Sequence, residues 1–171
     1  MQDSARFVEL YQAQYPRVLA YARRRLATLA DAEDCAAEVF KLAWQQETIP
    51  SVGWLFVTAK NITYSVRRKN LRLTQIAARI ATEQPDQSDP DDRGVLAALD
   101  GLNESERELL MSYYWDDLSG TQCAQLLGCS VAAIWVRLHR ARQHLKAVLL
   151  KDRVRDTPAP TPHPIWQGES L

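Results

Sequence analysis

The sequence predicts an all-α protein made of two small helical domains joined by a flexible linker. Helix-forming residues dominate, only six of the 171 residues are glycine, and few segments alternate between apolar and polar side chains as a strand does. Residues 83–93 contain two prolines and several acidic residues but no large apolar side chain, the composition of a flexible linker. We therefore expect domains at residues 1–82 and 94–152, and a disordered, proline-rich tail at residues 153–171.

The first domain opens with a helical segment at residues 4–27 that contains Pro16. Because proline is tolerated in the first turn of a helix, this segment predicts either one interrupted helix or two helices, the second starting at Pro16. Its end carries three consecutive arginines, Arg23, Arg24 and Arg25, whose positive charges are stabilised by the negative, C-terminal end of the helix dipole. We interpret them as solvated side chains at a helix end, with contact to nucleic acid as the alternative.

The next helix is predicted to begin at Asp31, whose carboxylate is a good N-cap. A broad apolar face follows, and Phe40 and Trp44 lie one turn apart at its edge. Two large aromatic side chains in this position, close to acidic residues, belong either to the core or to a ridge that docks on a partner.

A third helix, predicted over residues 52–70, has an apolar stripe and a basic face. The stripe has the spacing of a buried helix side: Leu55, Ala59, Ile62 and Val66. The other face combines cations with an amide and an aromatic ring: Lys60, Asn61, Tyr64, Arg67 and Arg68. Cations hold phosphates, and a ring stacks on an unpaired base. The absence of any acidic residue between Lys60 and Arg72 favours a site for single-stranded nucleic acid over an ordinary solvated surface.

The second domain contains two helices separated by a tight turn. Asn103 is predicted to cap a helix over residues 104–115, and Ser119 to cap a short helix that Gly128 ends in a left-handed turn. Ser130 then caps a longer, arginine-rich helix. This is the pattern of a helix-turn-helix, whose second helix enters the major groove of DNA.

The last helix has an apolar stripe at helical spacing: Ile134, Leu138, Ala141, Leu145 and Leu149. The residues predicted to meet DNA lie on the opposite side and its flanks: Ala132, Trp135, Val136, Arg137, His139 and Arg140. An ordinary amphipathic helix with a solvated basic face is the alternative, and this helix alone does not decide between the two.

Charge and cysteine content narrow the function classes. The formal net charge is zero, yet the charges are segregated, so that two basic patches are separated by acidic segments. Three cysteines without a secretory signal favour a reducing cytoplasm, and no apolar run reaches the roughly 18 residues needed for membrane insertion. Cys123 and Cys129 lack the C-x₂-C spacing of zinc ligands, so we expect buried thiols, no metal and no cofactor. No catalytic constellation is present, which predicts that the protein is not an enzyme.

The order of these motifs resembles the extracytoplasmic-function (ECF) sigma factors of bacterial RNA polymerase, in the sigma-70 family. In the first domain the resemblance rests on Tyr15-Pro16, DAED at residues 31–34, Phe40 with Ala43-Trp44, Trp54-Leu55, Ala59-Lys60-Asn61 and Arg67-Arg68. In the second it rests on Leu102, Glu106-Arg107, Leu118-Ser119, Leu126-Leu127-Gly128 and RLHRAR at residues 137–142. The match covers residues 7–70 and 95–149.

The resemblance implies that the domains are a sigma-70 region 2 helical bundle and a region 4 helix-turn-helix. Region 2 would bind core RNA polymerase through the second helix: Asp31, Glu33, Asp34, Glu38, Phe40, Lys41 and Trp44. The loop at residues 47–53 and the basic face of the third helix would meet the melted −10 strand. Region 4 would read the −35 element of promoter DNA. The family's usual partner is an anti-sigma factor that occludes the polymerase-binding surfaces.

The leading turn of the recognition helix departs from the family, which usually has small polar and basic residues there. The side chains of Ala132 and Val136 cannot form hydrogen bonds with the edges of bases, and Trp135 can donate only its indole N–H. We hypothesise that this turn contacts thymine methyl groups, while Arg137 and Arg140 contact phosphates or guanine. The main alternative function is a sigma-like decoy that binds an anti-sigma factor without directing transcription, and a stand-alone helix-turn-helix repressor is a third.

Overall fold

A computed structural model of the chain describes residues 4–77 and 93–155. Within these ranges the chain forms helices and no strand, which confirms the all-α class: α1 (Ser4–Arg23), α2 (Leu29–Trp44), α3 (Val52–Ala77), α4 (Arg93–Asp100), α5 (Glu104–Tyr114), α6 (Gly120–Leu127) and α7 (Val131–Arg155). The predicted linker, except for its last residue, and most of the predicted tail lie outside the described residues. None of the helices described is long and apolar enough to cross a membrane.

Helix α1 runs without interruption through Pro16, so the prediction of a second helix starting at that residue is wrong, and so is that of an interrupted helix. Proline lacks a backbone N–H and leaves the carbonyl of Gln12, one turn earlier, without its intrahelical partner. Both residues are exposed, so water is available to that carbonyl. Val18 and Tyr21, further along the helix, are fully buried, and this packing holds the segment after the proline in the same helix.

Helix α2 begins earlier than predicted. Thr28 is its N-cap, with extended backbone angles (φ −120°, ψ 149°), and its hydroxyl accepts a hydrogen bond from the backbone N–H of Asp31 at 3.0 Å. The prediction that Asp31 is the N-cap is therefore wrong, because a hydroxyl three residues earlier fills that role. Asp31 lies instead in the first turn, where its negative charge interacts favourably with the positive, N-terminal end of the helix dipole.

The predicted caps of the second half are confirmed. The Asn103 side chain accepts from the backbone of Glu106, and Ser119 forms a capping box with Gln122 at the start of α6. Gly128 ends α6 in the left-handed region at φ 64°, a conformation that favours glycine. The hydroxyl of Ser130 accepts from the backbone N–H of Ala133, at 3.1 Å, and so caps α7.

The third helix lies at the centre of the protein, because α1 and α2 pack against it on one side and α6 packs against it on another. Leu55 and Ala59 of the predicted stripe are fully buried, and Phe56 and Thr63, outside that stripe, are buried as well. The buried apolar side chains of the two halves form one continuous cluster. The helices of the two predicted domains therefore meet in a shared interface.

Two of the three cysteines, Cys35 and Cys123, are buried as predicted. Burial raises the pKa of both thiols to about 11, so they stay protonated at neutral pH. Cys129 is half-buried. In the part of the chain that the structure describes, no three His, Cys, Asp or Glu side chains are grouped closely enough to hold a metal ion.

Candidate nucleic-acid interface

Helix α7 is held to the rest of the second half by one fully buried side. Ile134, Leu138 and Ala141 have no exposed surface, as the predicted stripe requires. These residues fix the rotation of the helix about its axis. Five of the residues predicted to meet DNA therefore lie on its exposed side: Ala132, Val136, Arg137, His139 and Arg140.

Trp135, the sixth, is 47% exposed, but part of its indole packs inside the protein. The ring lies edge-on to Tyr113, with 5.9 Å between the ring centroids, and covers Gly120 at the start of α6. A β-carbon at position 120 would lie 2.8 Å from the indole Cζ2 atom, closer than two carbon atoms approach, so this contact requires glycine. Trp135 thus helps to fix the position of α6 against α7, and the rest of its surface remains exposed.

The cations of α7 fall into two groups. Arg142 donates from Nε to the hydroxyl of Tyr114 at 2.5 Å, and its guanidinium lies 5.5 Å from the centroid of the same ring. Arg137 and Arg140 are exposed and form no ion pair with any residue among those described. Their guanidinium groups are therefore available to an external anion.

The basic face of α3 has an exposed part and a part that contacts the second half of the chain. Its exposed part contains Asn61, Tyr64 and Arg68; Tyr64 is 52% exposed, and the Arg68 guanidinium lies 5.8 Å from the centroid of its ring. This part has the ring, amide and cation that an unpaired strand requires.

The other two cations of that face contact the second half of the chain. Lys60 donates from Nζ to the carbonyl oxygen of Leu126, at the end of α6, over 2.8 Å. Arg67 Nη1 lies 3.2 Å from Oε1 of Glu104, at the start of α5. The structure therefore brings three of the five predicted strand-binding residues together at the surface, and it pairs the remaining two, Lys60 and Arg67, with residues of the second half.

The predicted polymerase-binding residues of α2 lie at different depths. The exposed ones are Glu33, Asp34, Lys41 and Trp44, the half-buried ones are Asp31 and Glu38, and Phe40 is buried. Trp44 is 49% exposed and contacts Phe7 of α1, with 4.8 Å between the ring centroids. Phe40 packs below the surface against Tyr11 and Tyr15, so it supports the aromatic surface from beneath.

Sequence reasoning missed one member of this aromatic surface, Tyr11 of α1, which is exposed. Its ring stacks on that of Tyr15, with 4.9 Å between centroids. Phe7, Tyr11 and Tyr15 recur every four residues, and this spacing was a signal that could have identified an aromatic stripe on one side of α1.

A buried cluster of charges joins the end of α1 to the second half. The Arg25 side chain is only 5% exposed, and its guanidinium lies 2.9 Å from a carboxylate oxygen of Glu108 and 2.9 Å from one of Asp116. Arg24 lies 2.7 Å from the other oxygen of Asp116, whose side chain has no exposed surface. The interpretation of these arginines as solvated is therefore wrong for Arg25, which is buried, and incomplete for Arg24, which is exposed but pairs with Asp116. Of these three arginines, Arg23 is the one that is exposed and forms no ion pair with a described residue.

Burial and the neighbouring groups act in opposite directions on Glu108. Burial tends to raise the pKa of its carboxyl group, but the Arg25 guanidinium and the Tyr21 hydroxyl, which donates to Glu108 at 2.7 Å, hold this pKa below its ordinary value. Burial also raises the pKa of the Tyr21 phenol. Glu108 is therefore ionised and Tyr21 neutral at physiological pH.

Two protein families match separate parts of the chain: residues 10–73 match sigma-70 region 2, and residues 92–145 match sigma-70 region 4. The chain is 27% identical over 159 residues to the ECF RNA polymerase sigma factor RpoE of Cereibacter sphaeroides, a match that covers 84% of this chain and 88% of the relative. It is 33% identical over 109 residues to the ECF RNA polymerase sigma factor EcfG of Rhodopseudomonas palustris, covering 61% of this chain and 60% of the relative.

Two solved structures share the arrangement of helices. The sigma factor RpoE of Bartonella quintana, solved in complex with the anti-sigma factor NepR, aligns with a TM-score of 0.63 and 25% identity, over 86% of this chain and 98% of its own. CnrH, solved in complex with the cytosolic domain of CnrY, aligns with a TM-score of 0.61 and 23% identity, over 88% of this chain and 91% of its own. At this identity the alignment supports only the fold. With both family regions present in order on an all-α chain, the protein belongs to the sigma-70 family, as an ECF sigma factor.

Proposed function

We propose that the protein binds core RNA polymerase and directs promoter-specific transcription initiation by recognising −10 and −35 elements. The observation that carries this proposal is that one chain presents two separate surfaces with different nucleic-acid chemistry. Helix α7 presents Arg137 and Arg140 on a helix anchored from behind, which suits the major groove of a duplex. Helix α3 presents the exposed ring of Tyr64 beside an amide and a guanidinium, which suits an unpaired strand.

The predicted site residues receive the following roles in this proposal. The −35 element is read by Ala132, Trp135, Val136, Arg137, His139 and Arg140. The −10 strand is held by Asn61, Tyr64 and Arg68, and by Lys60 and Arg67 once these leave their internal partners. Polymerase contacts Asp31, Glu33, Asp34, Glu38, Lys41 and Trp44, and Phe40 supports Trp44 from below.

The predicted domain boundaries, partner and location are consistent with a promoter-specific initiation factor. We place region 2 at residues 1–82 and region 4 at residues 94–152, with a flexible linker at residues 83–93 that lets one polymerase hold both on separated promoter elements. An anti-sigma factor is the expected regulator, since the similar RpoE of Bartonella quintana was solved in complex with the anti-sigma factor NepR. The protein acts in the cytoplasm and recognises DNA without catalysing a reaction of its own.

Run-off transcription with purified core polymerase separates this function from the decoy alternative. Transcript starts mapped after overexpression supply the promoter template. We expect a promoter-dependent transcript when the protein is added to core polymerase, and none from core polymerase alone. A decoy gives no such transcript in either reaction. The apolar leading turn of α7 is the observation that favours a decoy, and the exposed strand-binding set on α3, which a decoy does not need, counts against it.

Val136 makes the reading of the −35 element testable. Its side chain is 53% exposed and cannot form a hydrogen bond, so we expect it to contact the methyl group of a thymine. Replacing that thymine with deoxyuridine removes one methyl, worth about 0.8 kcal/mol, and should weaken holoenzyme binding about fourfold. The Val136→Ala variant should not distinguish the two bases in the same anisotropy measurement. A selected −35 motif rich in G and without T opposite this turn would contradict the expectation.

A further inference from the structure

An apolar groove of about 440 Å³ lies on the second half of the chain, between α4, α5 and the last turns of α7. Apolar side chains of all three helices line it: Val95, Leu110, Tyr114, Leu145, Leu149 and Leu150. Two of them, Tyr114 and Leu150, are each 52% exposed. We propose that the groove is a docking site for the chain's own tail segment, residues 156–171, which inserts Ile165 and Trp166. This docking does not depend on promoter recognition.

The tail segment lies outside the described residues, and its sequence combines a spacer with an apolar anchor. Prolines occupy alternate positions from 158 to 164, and Ile165 and Trp166 follow directly as two neighbouring large apolar side chains. A tryptophan side chain buries about 150–250 Å² and is among the commonest anchors of protein interfaces. A groove of this volume is within the range of sites that bind apolar groups, so it can accept such an anchor.

The spacer is long enough for the tail segment to reach the groove from the end of α7 at Arg155. At a helical rise of 1.5 Å per residue, Leu149 and Arg142 lie about 9 and 20 Å before that end. Ile165 is ten residues beyond it, and a proline-rich spacer of this length extends to about 31 Å. So short a connection gives the anchor an effective concentration on the order of millimolar at the groove. The chain's own segment therefore needs little intrinsic affinity to fill it.

The charges of the groove and of the tail segment are complementary. Arg142 and Lys146, one turn apart on α7, are exposed at the groove. The tail segment contains two acidic residues, Asp156 and Glu169, and neither lysine nor arginine. Glu169 follows Trp166 by three residues, so its carboxylate comes within reach of both cations when the indole fills the groove. Because exposed ion pairs contribute little energy, we expect the charges to orient the segment and the apolar anchor to supply its binding.

A matched pair of exposed leucines tests the docking in the full-length protein. Leu150→Gln places a polar side chain in the groove, whereas Leu73→Gln makes the same change at a leucine of α3 that is 53% exposed and outside the groove. Fluorine NMR of fluorotryptophan-labelled protein reports Trp166, whose resonance is identified by its absence from Trp166→Phe. A soluble gadolinium chelate broadens the resonances of exposed rings. We expect this broadening of Trp166 to rise several-fold in Leu150→Gln and to keep its wild-type value in Leu73→Gln.

A peptide with the sequence of residues 156–171 tests the same pairing by competition. In the wild type the groove is already filled by the chain's own segment, whereas in full-length Trp166→Ala it is free. We therefore expect a fluorescein-labelled peptide to bind Trp166→Ala at least about tenfold more tightly than the wild type, as measured by anisotropy. Addition of Leu150→Gln to Trp166→Ala should abolish this gain, and addition of Leu73→Gln should leave it intact.

Three results would overturn the docking. The first is equal broadening of Trp166 in the wild type and in Leu150→Gln, and the second is equal binding of the peptide to the wild type and to Trp166→Ala. The third is a broadening of Trp166 that increases on dilution, which shows a segment exchanged between two copies of the chain. Circular dichroism checks the helix content of each variant. If Leu150→Gln does not fold, the comparison of the wild type with Trp166→Ala decides the question, because that variant changes no residue of the described helices.

Discussion

Replacing Leu138 with alanine is expected to lower the free energy of unfolding by about 2–5 kcal/mol. The side chain is fully buried between Ile134 and Ala141 on the side of α7 that packs into the second half. Truncation leaves a cavity, and a loss of this size is a large part of the stability of a small domain. Because the same contacts hold the recognition helix in place, binding to a −35 duplex should weaken as well. Urea unfolding followed by circular dichroism measures the first effect.

Val136→Ala is the matched control, since it truncates an aliphatic side chain on the opposite, exposed face of the same helix. We expect its free energy of unfolding to stay within about 0.5 kcal/mol of the wild type. The two variants thus test the two faces of α7 separately. Leu138→Ala should lose stability, whereas Val136→Ala should lose only the discrimination between thymine and deoxyuridine. Equal unfolding midpoints for both would show that Leu138 does not anchor the helix.

Replacing Tyr64 with alanine is expected to weaken the hold on the melted −10 strand by about 5- to 150-fold, the equivalent of one base–aromatic stack of roughly 1–3 kcal/mol. The ring is exposed on α3, with Arg68 over one face, so its loss leaves the core intact. Fluorescence of 2-aminopurine placed in the −10 element of a holoenzyme–promoter complex reports the unpaired bases directly. Binding of the −35 duplex should not change.

The conservative variant Tyr64→Phe keeps the ring and loses only the hydroxyl. We expect its promoter opening to remain near that of the wild type, because stacking depends on the aromatic face. A Tyr64→Phe variant as impaired as Tyr64→Ala would show that the hydroxyl matters more than the ring, and the proposed stacking role would have to be abandoned.

Local interactions account for what could be predicted from the sequence. The caps at Asn103 and Ser119 and the left-handed turn at Gly128 depend on neighbours within four residues, so they follow from residue type and spacing. The buried stripe of α7 follows from helical periodicity for the same reason. Where two nearby residues compete for one local role, as Thr28 and Asp31 do at the start of α2, the sequence leaves a choice, and here the earlier residue is the cap.

The sequence by itself determined the all-α class, the helix-turn-helix and the family to which the chain belongs. Only the tertiary structure decided what the charges do. Arg25 meets Glu108 and Asp116 from 83 and 91 residues away, and Lys60 meets Leu126 from 66 residues away. Residue type shows that a side chain is charged, but its partner depends on how separate helices pack. For this reason the arginines at the end of α1 were predicted to be solvated, and the structure shows Arg25 to be buried.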